Sequence, residues 1–221
     1  MFDISTIISI IWKGFLIGVI ASAPMGPVGV LCLQRTLNKG MWYGVVTGAG
    51  AALSDLLYAL LTGFGMSFIF DYVNKNVFYL QLFGSILLFF FGMYTFRCNP
   101  ARSIRRPDED ASAQKGGFRN QFLTAFLVTF SNPLIIFLFI GLFARFSFVE
   151  PGALVSETFT GYLSMVIGAM SWWFGLSFVV NKVRKRFNLR GIWIINRTIG
   201  SVVMVVSAIA LLLTFTGRSF Y

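Results

Sequence analysis

Residues 14–33 read GFLIGVIASAPMGPVGVLCL, an apolar run of membrane-spanning length that contains two prolines. About 20 apolar residues in a helix cross the hydrocarbon core of a bilayer. Each proline lacks an N–H and its ring presses on the preceding turn, so the helix must kink or break within Pro24-Met25-Gly26-Pro27. Carbonyls freed there find no water in lipid and must face protein, ordered water or a solute path. The run predicts a discontinuous transmembrane helix.

The composition of the whole chain agrees with a membrane protein. Of its 221 residues, 57% are hydrophobic and 12% are charged, and the mean hydropathy is +0.77, whereas a soluble domain carries about 25% charged residues. Residues 1–12 either lie in the interface or lengthen the first helix. The apolar runs are continuous rather than alternating, which favours helices over a barrel. The sequence predicts an all-α membrane protein with six transmembrane helices, at 14–33, 43–65, 77–96, 121–143, 159–180 and 198–217.

Lysine and arginine are distributed unevenly between the two sides of these six spans. One side holds 14 basic residues and the other holds four, namely Lys13, Lys75, Arg145 and Arg218. Basic residues mark cytoplasmic loops. We therefore expect a multi-pass protein of a bacterial inner membrane with the basic loops in the cytoplasm and both termini on the periplasmic side. Because the net charge of +10 lies in these loops, nucleic acid is not an expected partner.

The longest polar segment divides the chain into two halves. Residues 98–118 contain two prolines and the acidic run Asp108-Glu109-Asp110, and we interpret them as a cytoplasmic linker loop. The linker separates a first three-helix repeat, 1–97, from a second, 119–221. An odd number of spans in each half turns the second half upside down, which is the layout of an inverted repeat.

A second interruption stands at the matching place of the second half. Ser131-Asn132-Pro133 lies in the middle of the 121–143 span, as the first break lies in the first span. Broken helices at matching positions of two repeats indicate a substrate site near the bilayer midplane. The alternative is that both motifs are packing kinks, since proline is tolerated in membrane helices.

Asp55 is the only acidic residue deep inside a predicted span. A carboxylate at the bilayer centre costs about 3 kcal/mol on insertion scales. The sequence places no Lys or Arg at comparable depth, so the expected counterpart is a substrate ammonium or a transported proton. The alternative is a protonated structural aspartate bonded to a neighbouring helix.

Small residues precede Asp55 in its span. Gly44 and Gly48 have the G-x-x-x-G spacing that lets helices approach closely, and we expect them to pack against the broken helix; the same spacing leaves a homodimer open. In the second half, Trp172 stands near the position that corresponds to Asp55. An aromatic face can hold an ammonium by cation–π attraction, although tryptophan also serves in packing.

Several kinds of chemistry find no support in the sequence. Histidine is absent, and Cys32 and Cys98 form neither a metal motif nor a Cys-x-x-Cys pair, so we expect no metal, no cofactor and no catalytic residue. A membrane redox carrier resembling the CcdA proteins remains an alternative, as does a cation or metal exporter. No Walker motif is present for ATP binding. Gln34 and Arg35, placed at the end of the first helix, are either a gate or interface anchors.

Three motifs taken together resemble the LysE/RhtB amino-acid exporter family. They are Ala23-Pro24-Met25-Gly26-Pro27, the stretch from Gly48 to Asp55, and Ser131-Asn132-Pro133. The resemblance covers essentially the whole chain, including its length, its six hydrophobic segments and its charged central loop. One departure stands out, because Leu134 occupies the place where this family usually has a lysine.

The resemblance implies a secondary transporter that exports amino acids or similar small molecules from the cytoplasm, coupled to proton entry and working by alternating access. Its partners would be the solute, the coupling proton and the lipid bilayer. Asp55 would bind the cationic end of the solute or carry the proton. The predicted substrate-binding residues are Pro24, Met25, Gly26, Pro27, Asp55, Ser131, Asn132, Pro133 and Trp172.

Overall fold

The computed structural model describes residues 4–24, 26–68, 77–97, 117–132, 134–148, 154–183 and 189–215. Within these ranges the chain forms eight helices and no strand, which confirms the predicted all-α class. The helices are α1 (Ile4–Ser22), α2 (Pro27–Lys39), α3 (Met41–Phe68), α4 (Val77–Arg97), α5 (Phe118–Phe130), α6 (Leu134–Phe146), α7 (Val155–Val183) and α8 (Leu189–Phe215).

Several of these helices are suited to a membrane. In the described part of the chain, α1, α3, α7 and α8 are each long and apolar enough to cross a bilayer, and α5 with α6 would make a fifth span if the bent pair is counted as one. The remaining helix, α4, has a shorter apolar stretch at Leu82–Tyr94. The protein is therefore a multi-pass membrane protein.

The first predicted break is present between α1 and α2. The last residue of α1 is Ser22, and α2 begins at Pro27, whose fixed φ suits the first position of a helix. Gly26 caps α2 with an extended backbone, and its carbonyl accepts the N–H of Val30 at 3.2 Å. The prolines thus end one helix and start the next.

The second break separates α5 from α6 and turns the chain by 73°. The main chain of Asn132 bonds to both helices: its N–H donates to the carbonyl of Thr129 at 3.0 Å, and its carbonyl accepts the N–H of Ile135 at 3.3 Å. Pro133 lies outside the described residues, as do Met25 and the linker from residue 98 to residue 116.

The helices extend beyond the predicted spans. The first span was expected at 14–33, but α1 already begins at Ile4 and α2 continues to Lys39. Residues 4–12 therefore lengthen the first helix, and Arg35 does not end it. The prediction fell short because hydropathy detects the part of a helix that lies in lipid, whereas backbone hydrogen bonding carries the helix on into polar sequence.

Glycines allow α1 and α7 to cross at close range. Gly14 packs on the backbone of Gly161, and Gly18 packs on the backbone of Met165. Because the contacting residue numbers increase together along both helices, α1 and α7 run parallel. Helix α3 similarly runs parallel to α5, since Gly50 contacts Phe122 and Tyr58 lies on Phe130 farther along.

The glycines that precede Asp55 pack within the chain. Gly44 lies against Thr36 of α2 and Ser177 of α7, and Gly48 lies against Trp173 of α7. The expected contact with the broken helix is thus present at Gly44, while Gly48 contacts a helix of the other half. Farther along α3, Gly63 contacts Tyr162 of α7, so α3 and α7 run antiparallel.

The buried apolar residues form two clusters, here named A and B. Cluster A joins α2, α3, α5 and α7 and consists of Val28, Cys32, Leu33, Ala51, Ala52, Ala125, Ala169, Trp173, Leu176 and Val180. Cluster B joins α1, α3, α4, α6 and α7 and consists of Ile17, Ala59, Leu88, Leu138, Phe139, Leu142, Phe143 and Met165.

Candidate functional site

Asp55 lies on α3 beside the first helix break. Its side chain is 8% exposed, and the hydroxyl of Ser22 donates a hydrogen bond to its Oδ2 atom at 3.4 Å. Ser22 is the last residue of α1, so this bond joins α3 to the point where the first broken helix ends. The carboxylate therefore lies next to the first break.

Tyr58 lies one helical turn beyond Asp55 and contacts the second break. Its hydroxyl donates to the main-chain carbonyl of Phe130 at 2.6 Å, and the two rings lie 5.4 Å apart. Phe130 is the last residue of α5. Residues three apart on a helix are neighbours, separated by about 4.5 Å along its axis. One turn of α3 therefore contacts both interruptions.

The turn that carries Asp55 also lies between the two apolar clusters. Ala51 and Ala52 belong to cluster A, and Ala59 belongs to cluster B. Asp55 is three or four residues from each, which is about 5 Å along the helix. The carboxylate thus occupies a polar position with apolar packing on both sides along α3.

Four buried polar atoms on α3, α5 and α7 have no hydrogen-bond partner in the described part of the chain. They are the hydroxyls of Ser54 and Thr129 and the indole Nε1 atoms of Trp172 and Trp173. A buried polar group left unpaired costs about 1–3 kcal/mol. In this packing the four atoms are shielded from solvent, so each would gain a partner only if the helices parted and admitted a polar solute or water.

The predicted site residues occupy different surroundings. Pro24, Gly26 and Asn132 are half-buried, whereas Pro27 and Ser131 are exposed. Trp172 is partly buried and packs against cluster A. Met25 and Pro133 lie outside the described residues.

Sequence reasoning did not identify Ser22 or Tyr58 as site residues. The signal for Tyr58 was its spacing, because a residue three positions after a buried aspartate lies close to the same helix face. For Ser22 the only sign was its position directly before the break. Neither side chain stands out in the sequence, because each is positioned by a hydrogen bond to a residue that is distant along the chain.

Three basic side chains are buried in the described part of the chain. Lys13, Arg35 and Arg145 are each at most 9% exposed, since neighbouring parts of the fold cover their long side chains. None of the three pairs with Asp55, whose hydrogen bond in the described residues is the one from Ser22.

Cys32, the described cysteine, is buried and forms no disulfide within the described residues. The thiol of Cys32 is buried in cluster A, where it donates to the carbonyl of Gly44 at 3.5 Å and lies 3.6 Å from the hydroxyl of Ser177. Cys98 lies outside the described residues. Within the ranges that the structure covers, no three His, Cys, Asp or Glu side chains come together as metal ligands.

Comparison with known proteins places this chain among membrane translocators. A family model described as "LysE type translocator" matches residues 19–214. A Bacillus subtilis (strain 168) protein named "Putative amino acid efflux protein YcgF" is 28% identical over 189 residues, which cover 80% of this chain and 84% of that protein. A Pseudomonas aeruginosa protein named "Uncharacterized membrane protein PA4757" is 28% identical over 128 residues, 58% of either chain. No solved structure matches the chain.

Proposed function

Because the chain belongs to the LysE type translocator family, we propose that it exports amino acids or related small solutes from the cytoplasm. The relative named for amino acid efflux in Bacillus subtilis supports this substrate class. The helices of this chain expose many large apolar side chains, which lipid would cover in a transporter embedded in a bilayer.

The observation that carries the proposal is the position of Asp55 beside the two breaks. Ser22 and Tyr58 tie the two interrupted helices to one turn of α3. Broken helices expose main-chain groups to a solute where lipid supplies no hydrogen bonds. Asp55 would bind the ammonium of an amino acid or carry the coupling proton.

We propose that the eight helices form six spans arranged as two inverted repeats, 1–97 and 119–221. In this arrangement α1 with α2, and α5 with α6, are the broken first helices of each repeat. Two kinds of contact support it. First, α1 packs on α7 while α5 packs on α3, so each broken helix lies on the other half. Second, α1 runs parallel to α7, α7 runs antiparallel to α3, and α3 runs parallel to α5. The broken helices α1 and α5 therefore run in opposite directions.

Alternating access would follow from the two apolar clusters. Cluster A closes the pathway on the side of α2 and α5, and cluster B closes it on the side of α1 and α6. Loosening one cluster while the other stays packed would open Asp55 to one side of the membrane at a time. Proton entry by way of the same carboxylate would make the exchange an antiport.

The distribution of basic residues sets the proposed orientation. Lys39 ends α2 and Arg97 ends α4 on the side that carries the 14 basic residues. Cytoplasmic loops carry the excess of Lys and Arg. Cluster A would therefore face the cytoplasm and cluster B the periplasm, with both termini outside in a bacterial inner membrane.

The test of this function is efflux from cells loaded with a panel of dipeptides, in which each amino acid released to the medium is measured. Expression of the wild-type chain should increase the release of at least one amino acid, and Asp55→Asn should lower that release at least tenfold, corresponding to about 1.4 kcal/mol of lost stabilisation. The amount of protein in the membrane is measured in parallel and should not change.

A matched control is Glu157→Gln, which removes a carboxylate that caps the exposed start of α7. Its efflux should stay at the wild-type level. Unchanged efflux in Asp55→Asn would refute the role of the carboxylate. Protection of the cells from a toxic metal salt, without release of any amino acid, would favour the metal-exporter alternative.

A further inference from the structure

Arg35 links three helices on the cluster A side of the protein. Its side chain is 8% exposed. Its Nη1 atom donates to the hydroxyl of Thr47 on α3 at 3.0 Å and to the main-chain carbonyl of Gln121 on α5 at 2.9 Å. A side chain of α2 thereby joins the first half of the chain to the broken helix of the second half.

All the acceptors that Arg35 uses are neutral. A guanidinium has five N–H donors, and within the described residues those of Arg35 make hydrogen bonds only through Nη1 and form no ion pair. Burying a cation without an anion is costly. Hydrogen bonds between a guanidinium and a carboxylate are shorter, charge-assisted and frequently bidentate. Arg35 is thus a buried cation with unused donors and a strong preference for an anion.

The position of Arg35 separates it from Asp55. Its partner Thr47 precedes Asp55 by eight residues on α3, which is about 12 Å along the helix. Ala51 and Ala52 of cluster A lie between these two positions. The α-ammonium and α-carboxylate of one amino acid are much closer together than that distance, so these two groups cannot bind Asp55 and Arg35 at the same time.

We propose that Arg35 recognises the carboxylate of the exported solute before the solute passes cluster A to reach Asp55. The inference rests on the proposed export function and assigns the solute class, since the solute must carry a carboxylate. When the guanidinium turns toward the carboxylate to form a forked hydrogen bond, its Nη1 atom leaves the carbonyl of Gln121. The link between α2 and α5 is released, and cluster A can open.

The test uses the purified full-length chain and compares amino acids with their amides, in which a neutral carboxamide replaces the carboxylate. Thermal stabilisation is titrated with each of the twenty L-amino acids and with the corresponding amino acid amides, which lack the carboxylate. In the wild-type protein, at least one acid should reach half-saturation at a concentration about tenfold or more below that of its amide. In Arg35→Gln the acid and the amide should become equal.

Two further variants separate recognition from helix packing. Arg35→Lys keeps the positive charge but cannot form the forked hydrogen bond, so it should prefer the acid over the amide by a smaller factor than the wild type does. If Arg35→Gln does not fold, Arg35→Lys replaces it in the comparison. Thr47→Val removes a partner of the link and leaves the cation, so it should keep the wild-type preference for the acid. A loss of preference in Thr47→Val equal to that in Arg35→Gln would overturn the assignment.

The outcomes for Arg35 and for the export function are distinguishable. Equal stabilisation of the wild type by acids and amides, or no stabilisation by any acid, would refute the Arg35 site even when the dipeptide-loaded cells show efflux. Conversely, acid-selective binding that depends on Arg35, in a protein whose cells release no amino acid, would support the Arg35 site and refute export.

Discussion

The crossing of α1 and α7 at Gly18 gives a prediction that depends on backbone geometry. A Cβ atom added at Gly18 would collide with the main-chain oxygen of Met165 and lie 2.9 Å from the main-chain nitrogen of Ala169. Both contacts are backbone atoms of α7, which cannot rotate away as a side chain can. Gly18→Ala therefore requires the two helices to move apart.

The size of the effect follows from a comparison with a second glycine. An alanine at Gly175 of α7 would find no heavy atom within 4 Å. Both substitutions gain the same helix propensity of about 0.8–1 kcal/mol for alanine over glycine, so this gain cancels in their difference. What remains is the cost of overpacking, typically about 1–3 kcal/mol. We expect Gly18→Ala to be less stable than Gly175→Ala by that amount.

The assay is reversible unfolding of the two purified variants and the wild type in the same micelles. Gly175→Ala should be as stable as the wild type or slightly more stable, and Gly18→Ala should be less stable. The same displacement of α1 would move Ser22, four residues farther along, away from Asp55, and efflux should fall with stability. Equal stabilities of the two variants would show that α1 and α7 do not cross at Gly18, and the geometry of the first break would then be wrong.

Other predictions test the second break, the redox alternative and the orientation. Tyr58→Phe removes the hydrogen bond to the carbonyl of Phe130, which is typically worth about 0.5–1.5 kcal/mol, so efflux should fall several-fold. Tyr94→Phe, at an exposed position of α4, should match the wild type. Equal efflux in the two variants would show that the contact between α3 and the second break is not needed for export. Replacing Cys32 and Cys98 together by serine should leave efflux unchanged, whereas a redox carrier would lose its activity. Single cysteines introduced into the basic loops should react with a membrane-impermeant maleimide only after the cytoplasmic side is opened, and labelling of intact cells would reverse the proposed orientation.

Much of the fold could be predicted from the sequence because its causes are local. Continuous apolar runs indicate spanning helices wherever they occur, and Pro24 and Pro27 interrupt a helix whatever lies beside it. A carboxylate such as Asp55 within an apolar run is unusual for the same reason, since the cost of burying charge depends on the surrounding lipid or protein. The all-helical class, both interruptions and the family resemblance followed from such features, and the family match over residues 19–214 confirms the last of them.

The tertiary structure decided which of these features meet. Ser22 reaches Asp55 across 33 positions of sequence, Tyr58 reaches Phe130 across 72, and Arg35 reaches Gln121 across 86. Such pairs depend on how closely whole helices approach, which is set by small residues such as Gly18 and by packing that no short window of sequence contains. For this reason the sequence alone indicated a carboxylate and two broken helices, while only the packed helices brought them to one turn of α3 and buried a cation at Arg35.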